Sequence, residues 1–151
     1  MDERLSLKVR SVLVSKTNVF LDEIDTMMEK EGVDKAIKVG RTQFKTIMDG
    51  VGKASSVEEL FLFISYQESK RNGWDYKCSN HLSVAQNVIN SLNGILDGIG
   101  KYIEDEIDKY IEKDEVPITE DDMRIIRLKI AEKYMGYLFW KATIVTKRNR
   151  G

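Results

Sequence analysis

Cys78 and His81 stand three residues apart, close enough on a helix or turn for a thiol and an imidazole to meet. A nucleophilic pair of that kind needs a third group to orient the base, and neither such a group nor a nucleophile signature surrounds them. Glu104, Asp108 and Glu112 recur every four residues and would share one helix face, where carboxylates are able to hold a hard cation. No histidine accompanies them, and Asp105 and Glu106 carry the charge on around the helix, so a solvated face is the simpler reading. Gly94, Gly98 and Gly100 fall inside an apolar helical pattern with no preceding strand and no following Lys-Ser or Lys-Thr, which excludes a dinucleotide fingerprint and a P-loop. The sequence therefore predicts a protein that is not an enzyme and needs neither metal nor cofactor.

Charge is the more informative signal. The chain of 151 residues is almost neutral, with 24 Lys and Arg against 25 Asp and Glu, but the balance is polarised. Residues 101–122 hold three Lys against ten acidic residues, and residues 123–151 hold eight Lys or Arg against Glu132 alone. Two readings follow: the acidic and basic stretches pair with each other or with a neighbouring copy, or the basic surface meets a phosphate backbone. Lys141, Lys147, Arg148 and Arg150 lie toward or beyond the end of the last helical stripe, where the helix macrodipole favours cations in any case. A second basic cluster, Lys70-Arg71-Asn72-Gly73-Trp74-Asp75-Tyr76-Lys77, alternates aromatic rings with cations. Such a pattern is able to stack single-stranded bases. The large area of a tryptophan ring favours the other reading, in which Trp74 and Tyr76 tuck under the connection as core or rim.

The elements that must carry these residues are helical. One proline, Pro117, in the whole chain and apolar residues at three- and four-residue steps predict an all-α, compact helical bundle of about five or six helices, formed as one domain over 1–151. Leu5, Val9, Val12, Leu13, Phe20, Ile24, Met27 and Met28 make the first stripe, with an interruption near Thr17-Asn18 and a stop at Gly32. Val33 to Val51 makes a second, breaking at Gly40, with Thr42 as a cap and Gly50 and Gly52 as the close. Ser55 and Ser56 ahead of Glu58 and Glu59 form a capping box for a third helix. From Leu82 a stripe continues to Ile111, either as one long helix or with a bend near Gly98-Ile99-Gly100, and Gly94 with Gly98 offers a face for close backbone approach. Val116-Pro117-Ile118 is a connection, and Thr119 caps a final helix whose first turn is acidic.

Hydrophobic residues at 42% and charged residues at 32% exclude a disordered chain, and no stretch reaches the ~20 uncharged residues of a membrane span. The first eight residues lack the apolar core of a signal peptide, so a cytoplasmic location is expected. A lone Cys and a lone His exclude an internal disulfide and a four-ligand structural zinc site within one chain.

Three segments, in order, carry a resemblance: Thr42-Gln43-Phe44-Lys45, then Ile64-Ser65-Tyr66-Gln67-Glu68-Ser69-Lys70-Arg71, and finally Ala131-Glu132-Lys133-Tyr134-Met135-Gly136-Tyr137-Leu138-Phe139-Trp140-Lys141. They resemble the small helical subunit of type III CRISPR-Cas effector complexes, over about a quarter of the chain. Lys45 stands where that family more often has arginine, and residues 79–122 make a longer middle section. The resemblance implies a non-catalytic bundle of an antiviral surveillance complex, present in several copies along the guide-target duplex, touching RNA backbone and neighbouring subunits. On that reading Arg41, Lys45, Lys70, Arg71, Lys141, Lys147 and Arg148 contact nucleic acid, while Thr42, Gln43, Tyr66 and Gln67 belong to the family motif. The partners are other complex subunits, guide or target RNA and possible further copies of the chain, with no membrane.

A different class of function is compatible with the same residues. A helical interaction or regulatory module would bind another protein through an apolar groove, lined by Met27, Met28, Met48, Phe61 and Phe63, and never meet nucleic acid.

Overall fold

Helical periodicity carries through the chain. The computed structural model describes residues 1–37, 41–114 and 118–150, with the side chains of residues 41, 42, 110–114, 149 and 150 outside that description. The described residues form seven helices and no strand: α1 (Glu3–Ser15), α2 (Thr17–Lys30), α3 (Val33–Ala36), α4 (Arg41–Lys53), α5 (Val57–Ser69), α6 (Val84–Asp114) and α7 (Glu120–Arg150). The count exceeds five or six because both suspected interruptions of the first two stripes are realised. The first break falls at Lys16, where Ser15 and Thr17 hydroxyls donate back to the carbonyls of Val12 and Val14, 2.7 and 2.8 Å away, and compete with continuation of the helix. The second follows Ile37; Gly40, Val116 and Pro117 lie outside the described residues.

Capping defines the other starts. Asp2 accepts from the amides of Arg4 and Leu5. Ser56 Oγ accepts from the Glu59 amide at 3.1 Å, and the Glu59 carboxylate returns to the amide and hydroxyl of Ser55, which lowers the carboxyl pKa. Thr119 and Asp122 close a reciprocal pair at the head of α7. Ser83 and Gln86 do the same for α6, and the carbonyls of Trp74 and Tyr76 accept from the amides of Ala85 and Val84. The α5–α6 connection thus supplies partners for amides that a helix start leaves unpaired.

The hub is α7. Ile126, Ile130, Tyr134, Leu138, Ala142 and Val145 are buried along one stripe, with Ala131 and Met135 on its flank. The helix packs against α2, α3, α4, α5 and α6. Leu92, Leu96, Ile99 and Ile103 of α6, Phe20, Ile24, Met27 and Met28 of α2, and Ile47 of α4 complete the core. Each fully buried large side chain contributes about 1.5–3 kcal/mol. Among the described residues no helix is long and apolar enough to cross a membrane.

Two expectations about glycine are corrected. Gly50 and Gly52 lie inside α4, which runs on to Lys53, so neither closes it. Gly94, Gly98 and Gly100 lie within a single helix, α6, that continues to Asp114. Beyond the helix's own backbone, no atom of the described residues stands within 4 Å of a Cβ built at any of these three, so among the described residues no other backbone approaches them closely. Gly50 differs, because a Cβ there would meet Phe63 Cε1 at 2.6 Å. Gly50→Ala should cost about 1–3 kcal/mol through overpacking, whereas Gly94→Ala should add up to about 1 kcal/mol by helix propensity. Urea unfolding of both variants checks this pair of opposite signs.

Tyr134 gives a second test. Its ring is fully buried, its hydroxyl donates to Met27 Sδ at 3.6 Å, and burial, reinforced by the Glu23 charge and opposed by the Ser91 hydroxyl, raises its pKa far above the usual phenol value. The folded state then holds a proton that the unfolded state releases near pH 10, so stability is full below that pH and falls above it by about 1.4 kcal/mol per pH unit from this group. Tyrosinate absorbance should show one of the six tyrosines titrating only as the chain unfolds, and this late step should vanish in Tyr134→Phe.

Candidate nucleic-acid interface

The start of α4 and the end of α5 meet through their aromatic side chains. Phe44, in the first turn of α4, is buried with its ring edge-on to Trp74, 5.2 Å between centroids, and Trp74 lies just past the end of α5. Phe44 also packs edge-on against Phe139 of α7 at 5.9 Å. Farther along, Gly50 lies against Phe63, which admits α5 close to α4. The two helices run antiparallel, and an open groove of about 790 Å³ between them has Thr46, Asp49 and Gly50 on one bank and Leu62, Phe63 and Tyr66 on the other.

The expected site residues divide along this geometry. Arg41 and Thr42 fall in the first turn of α4, with side chains outside the described residues. Thr42 is therefore the second residue of the helix and not its N-cap. Lys45 is exposed and Gln43 half-buried. Tyr66 is exposed on the groove, and Lys70 Nζ stands 4.6 Å above its ring. Arg71 is exposed at the turn that follows α5, with φ of 54°, a left-handed conformation uncommon for a residue with a side chain. None of the ion pairs among the described residues includes Lys45, Lys70 or Arg71. The start of α4 thus exposes Lys45, and the end of α5 with its following turn exposes Tyr66, Lys70 and Arg71.

Gln67, of the second family-like segment, faces inward. It is buried, and its side-chain oxygen accepts from Asn72 Nδ2 at 3.0 Å, so it fixes the turn that presents Arg71 and is not itself available to a ligand. Trp74 is core, as the size of its ring suggests, whereas Tyr76 is exposed.

The C-terminal cations are less uniform. Lys141 is paired with Asp25 of α2 at 2.8 Å, which ties α7 to the bundle. Lys147 and Arg148 are exposed, and the side chain of Arg150 lies outside the described residues. Arg124 bonds Asp121 at 2.8 Å and the Ser55 carbonyl at 2.6 Å, and Arg127 reaches Glu58 at 3.7 Å. Part of the charge polarity is therefore settled within the molecule.

Cys78 and His81 are brought into one turn but not into a dyad. The His81 amide donates to the Cys78 carbonyl at 2.9 Å, the thiol is buried and the imidazole is exposed, on a residue with φ of 70°. Around them Asn80 and Asn87 exchange side-chain bonds of 2.7 and 3.1 Å, and Asn80 also reaches Glu31 at 2.9 Å, clamping the connection to the end of α2. Among the described residues no three His, Cys, Asp or Glu side chains converge in a way that would hold a metal. Glu112 lies outside the described side chains. Met27 and Met28 are core and Met48, Phe61 and Phe63 half-buried, so the groove expected on those five does not form as one surface. The apolar residues that do reach solvent are others, Leu7, Leu62 and Trp140 foremost.

Comparison with protein-family models, curated proteins and solved structures gave no match.

Burial, opposed by a bond from Asn87 and reinforced by Asp34, raises the Cys78 thiol pKa. A thiol held protonated is a poor nucleophile. Native protein should react with a disulfide reagent at least about a hundredfold more slowly than urea-unfolded protein; fast labelling of the folded chain would show an activated thiol instead.

Proposed function

We propose that this chain is a non-catalytic small subunit of a type III CRISPR-Cas effector complex and that it contacts RNA backbone through the edge where α4 begins and α5 ends. The observation that carries the reading is the cation set at that edge. Lys45, Lys70 and Arg71 are exposed and in none of the ion pairs among the described residues, and the Phe44–Trp74 contact joins the first turn of α4 to the connection that follows α5. Arg41 belongs to the same turn of α4. Cations held by short, packed elements bind phosphates without reading sequence, which suits a subunit that follows a duplex of any guide. The Tyr66 ring beside Lys70 adds a surface on which an unpaired base can stack. The order of the three family-like segments supports the same reading, and target cleavage then belongs to other subunits.

Arg71→Gly removes a charge and relieves a left-handed backbone, so stability should hold or rise by up to about 1 kcal/mol. Combined with Arg41→Ala, Lys45→Ala and Lys70→Ala, it should weaken binding of single-stranded RNA and flatten the slope of log affinity against log salt by roughly 0.7 for each phosphate no longer neutralised. Fluorescence anisotropy over a salt series measures both quantities. Unchanged affinity and slope in the folded quadruple variant would remove this edge as the RNA-binding surface and leave the protein-interaction reading in its place.

A further inference from the structure

A second unpartnered apolar groove lies between α1 and α7. Helix α1 packs on α2 and α6 and faces α7 across an open groove of about 560 Å³. Leu13 and Tyr137 line it, Leu7 and Trp140 stand on it, and Gly136 leaves its middle without a side chain. Leu7 is 61% and Trp140 65% exposed, although both are large apolar residues. The Trp140 ring is held edge-on against Tyr137 at 6.1 Å between centroids, and Tyr137 in turn against Phe20 of the core at 5.8 Å. The exposed tryptophan is thus backed by rigid structure. A pre-positioned aromatic anchor of this kind is what concentrates binding energy at protein interfaces.

The residues bordering the groove identify the kind of partner. The charged side chains that line it are Arg10, Lys129 and Lys133 against Glu3 and Glu132. Glu3 sits in the first turn of α1, where the helix dipole already balances it. Arg10, Lys129 and Lys133 line the groove and are in none of the ion pairs among the described residues. Two helices with a shallow channel between them, about 15 Å long by helical rise, receive a third helix through anchors at i, i+3 or i+4, and i+7. Nucleic acid fits less well, because Leu7 and Leu13 offer nothing to a phosphate or a base edge. A second copy of the chain also fits less well: its acidic helical segment, in the second half of α6, already buries Ile103 and Ile107 in its own core.

We propose that the α1–α7 groove docks an acidic amphipathic helix of a partner protein, with Leu7 and Trp140 as the apolar anchors and Arg10, Lys129 and Lys133 as the charged rim.

A labelled peptide of about 18 residues, with leucine at helical spacing and glutamate on the opposite face, probes this directly. It should bind saturably, shift Trp140 emission to the blue, and bind at least about tenfold more weakly to Leu7→Ser and to Trp140→Ala. Both positions are exposed, so both variants should keep the parent melting temperature. The same peptide with lysine for glutamate should bind at least about tenfold more weakly. Absence of binding by the acidic peptide, equal binding by the lysine peptide, or equal binding to the folded variants would overturn the proposal. Self-association abolished by Leu7→Ser would assign the groove to a second copy, and oligouridine binding abolished by Trp140→Ala would assign it to RNA; either overturns it too. The four substitutions on the α4–α5 edge should leave peptide binding unchanged, which keeps this test separate from that of the RNA-binding edge.

Discussion

The constraint on which the structure depends is that α7 must be enclosed. This helix of 31 residues carries apolar side chains on more than one face, and water would meet them if only one neighbour packed against it. Five helices solve the problem by packing around it. The lengths and breaks of the other elements follow: α6 is long enough to lie along α7, α3 and α4 fill one side, and α2 is cut from α1 at Lys16. A buried phenol, Tyr134, sits where α2 and α7 meet, its hydroxyl against Met27 Sδ and the Ser91 hydroxyl.

The same enclosure positions the two surfaces for which function is proposed. Phe139 of α7 holds Phe44, and Phe44 holds Trp74, so an aromatic line runs from the hub to the edge where Lys45, Lys70 and Arg71 reach solvent. Two residues earlier on the hub, on another face of the helix, Tyr137 packs on Phe20 and supports Trp140 in the α1–α7 groove. Electrostatics divides between them. Lys141, Arg124 and Arg127 are used to tie the bundle together, while Arg10, Lys129 and Lys133 line the groove.

Much of this was legible in the residues and some was not. The stripes of α1 and α2 identify buried residues because each helix has a single core face, as do Val57, Leu60 and Ile64 of α5 and most of the α6 stripe, while Phe61 and Ile89 are half-buried; the Ser56–Glu59 and Thr119 caps mark real helix starts. Ser83-Val84-Ala85-Gln86 carries the same signature and fixes the start of α6 at Val84, two residues past Leu82. Glycine misleads, because propensity alone does not distinguish Gly50, which makes room for Phe63, from a helix stop. The candidate site was readable as composition and not as geometry. Nothing local tells that Gln67 turns inward to Asn72, that Lys141 meets Asp25 from a distant helix, or that Arg71 is offered by a left-handed turn. Those depend on how distant parts of the chain pack together. Trp140 looks like core by type; it is exposed because α1, which could have covered it, packs on α2 and α6 instead.

The central claim is that a helical hub without catalytic residues of its own serves as an RNA-associated subunit of a larger assembly. Affinity purification of the tagged chain from its native host, at moderate salt, tests it most directly through what co-elutes. The account requires several protein subunits and a short RNA of uniform guide-like length, released together with a rise in absorbance at 260 nm over 280 nm. Elution of the chain with protein partners and no RNA, or alone, would contradict it.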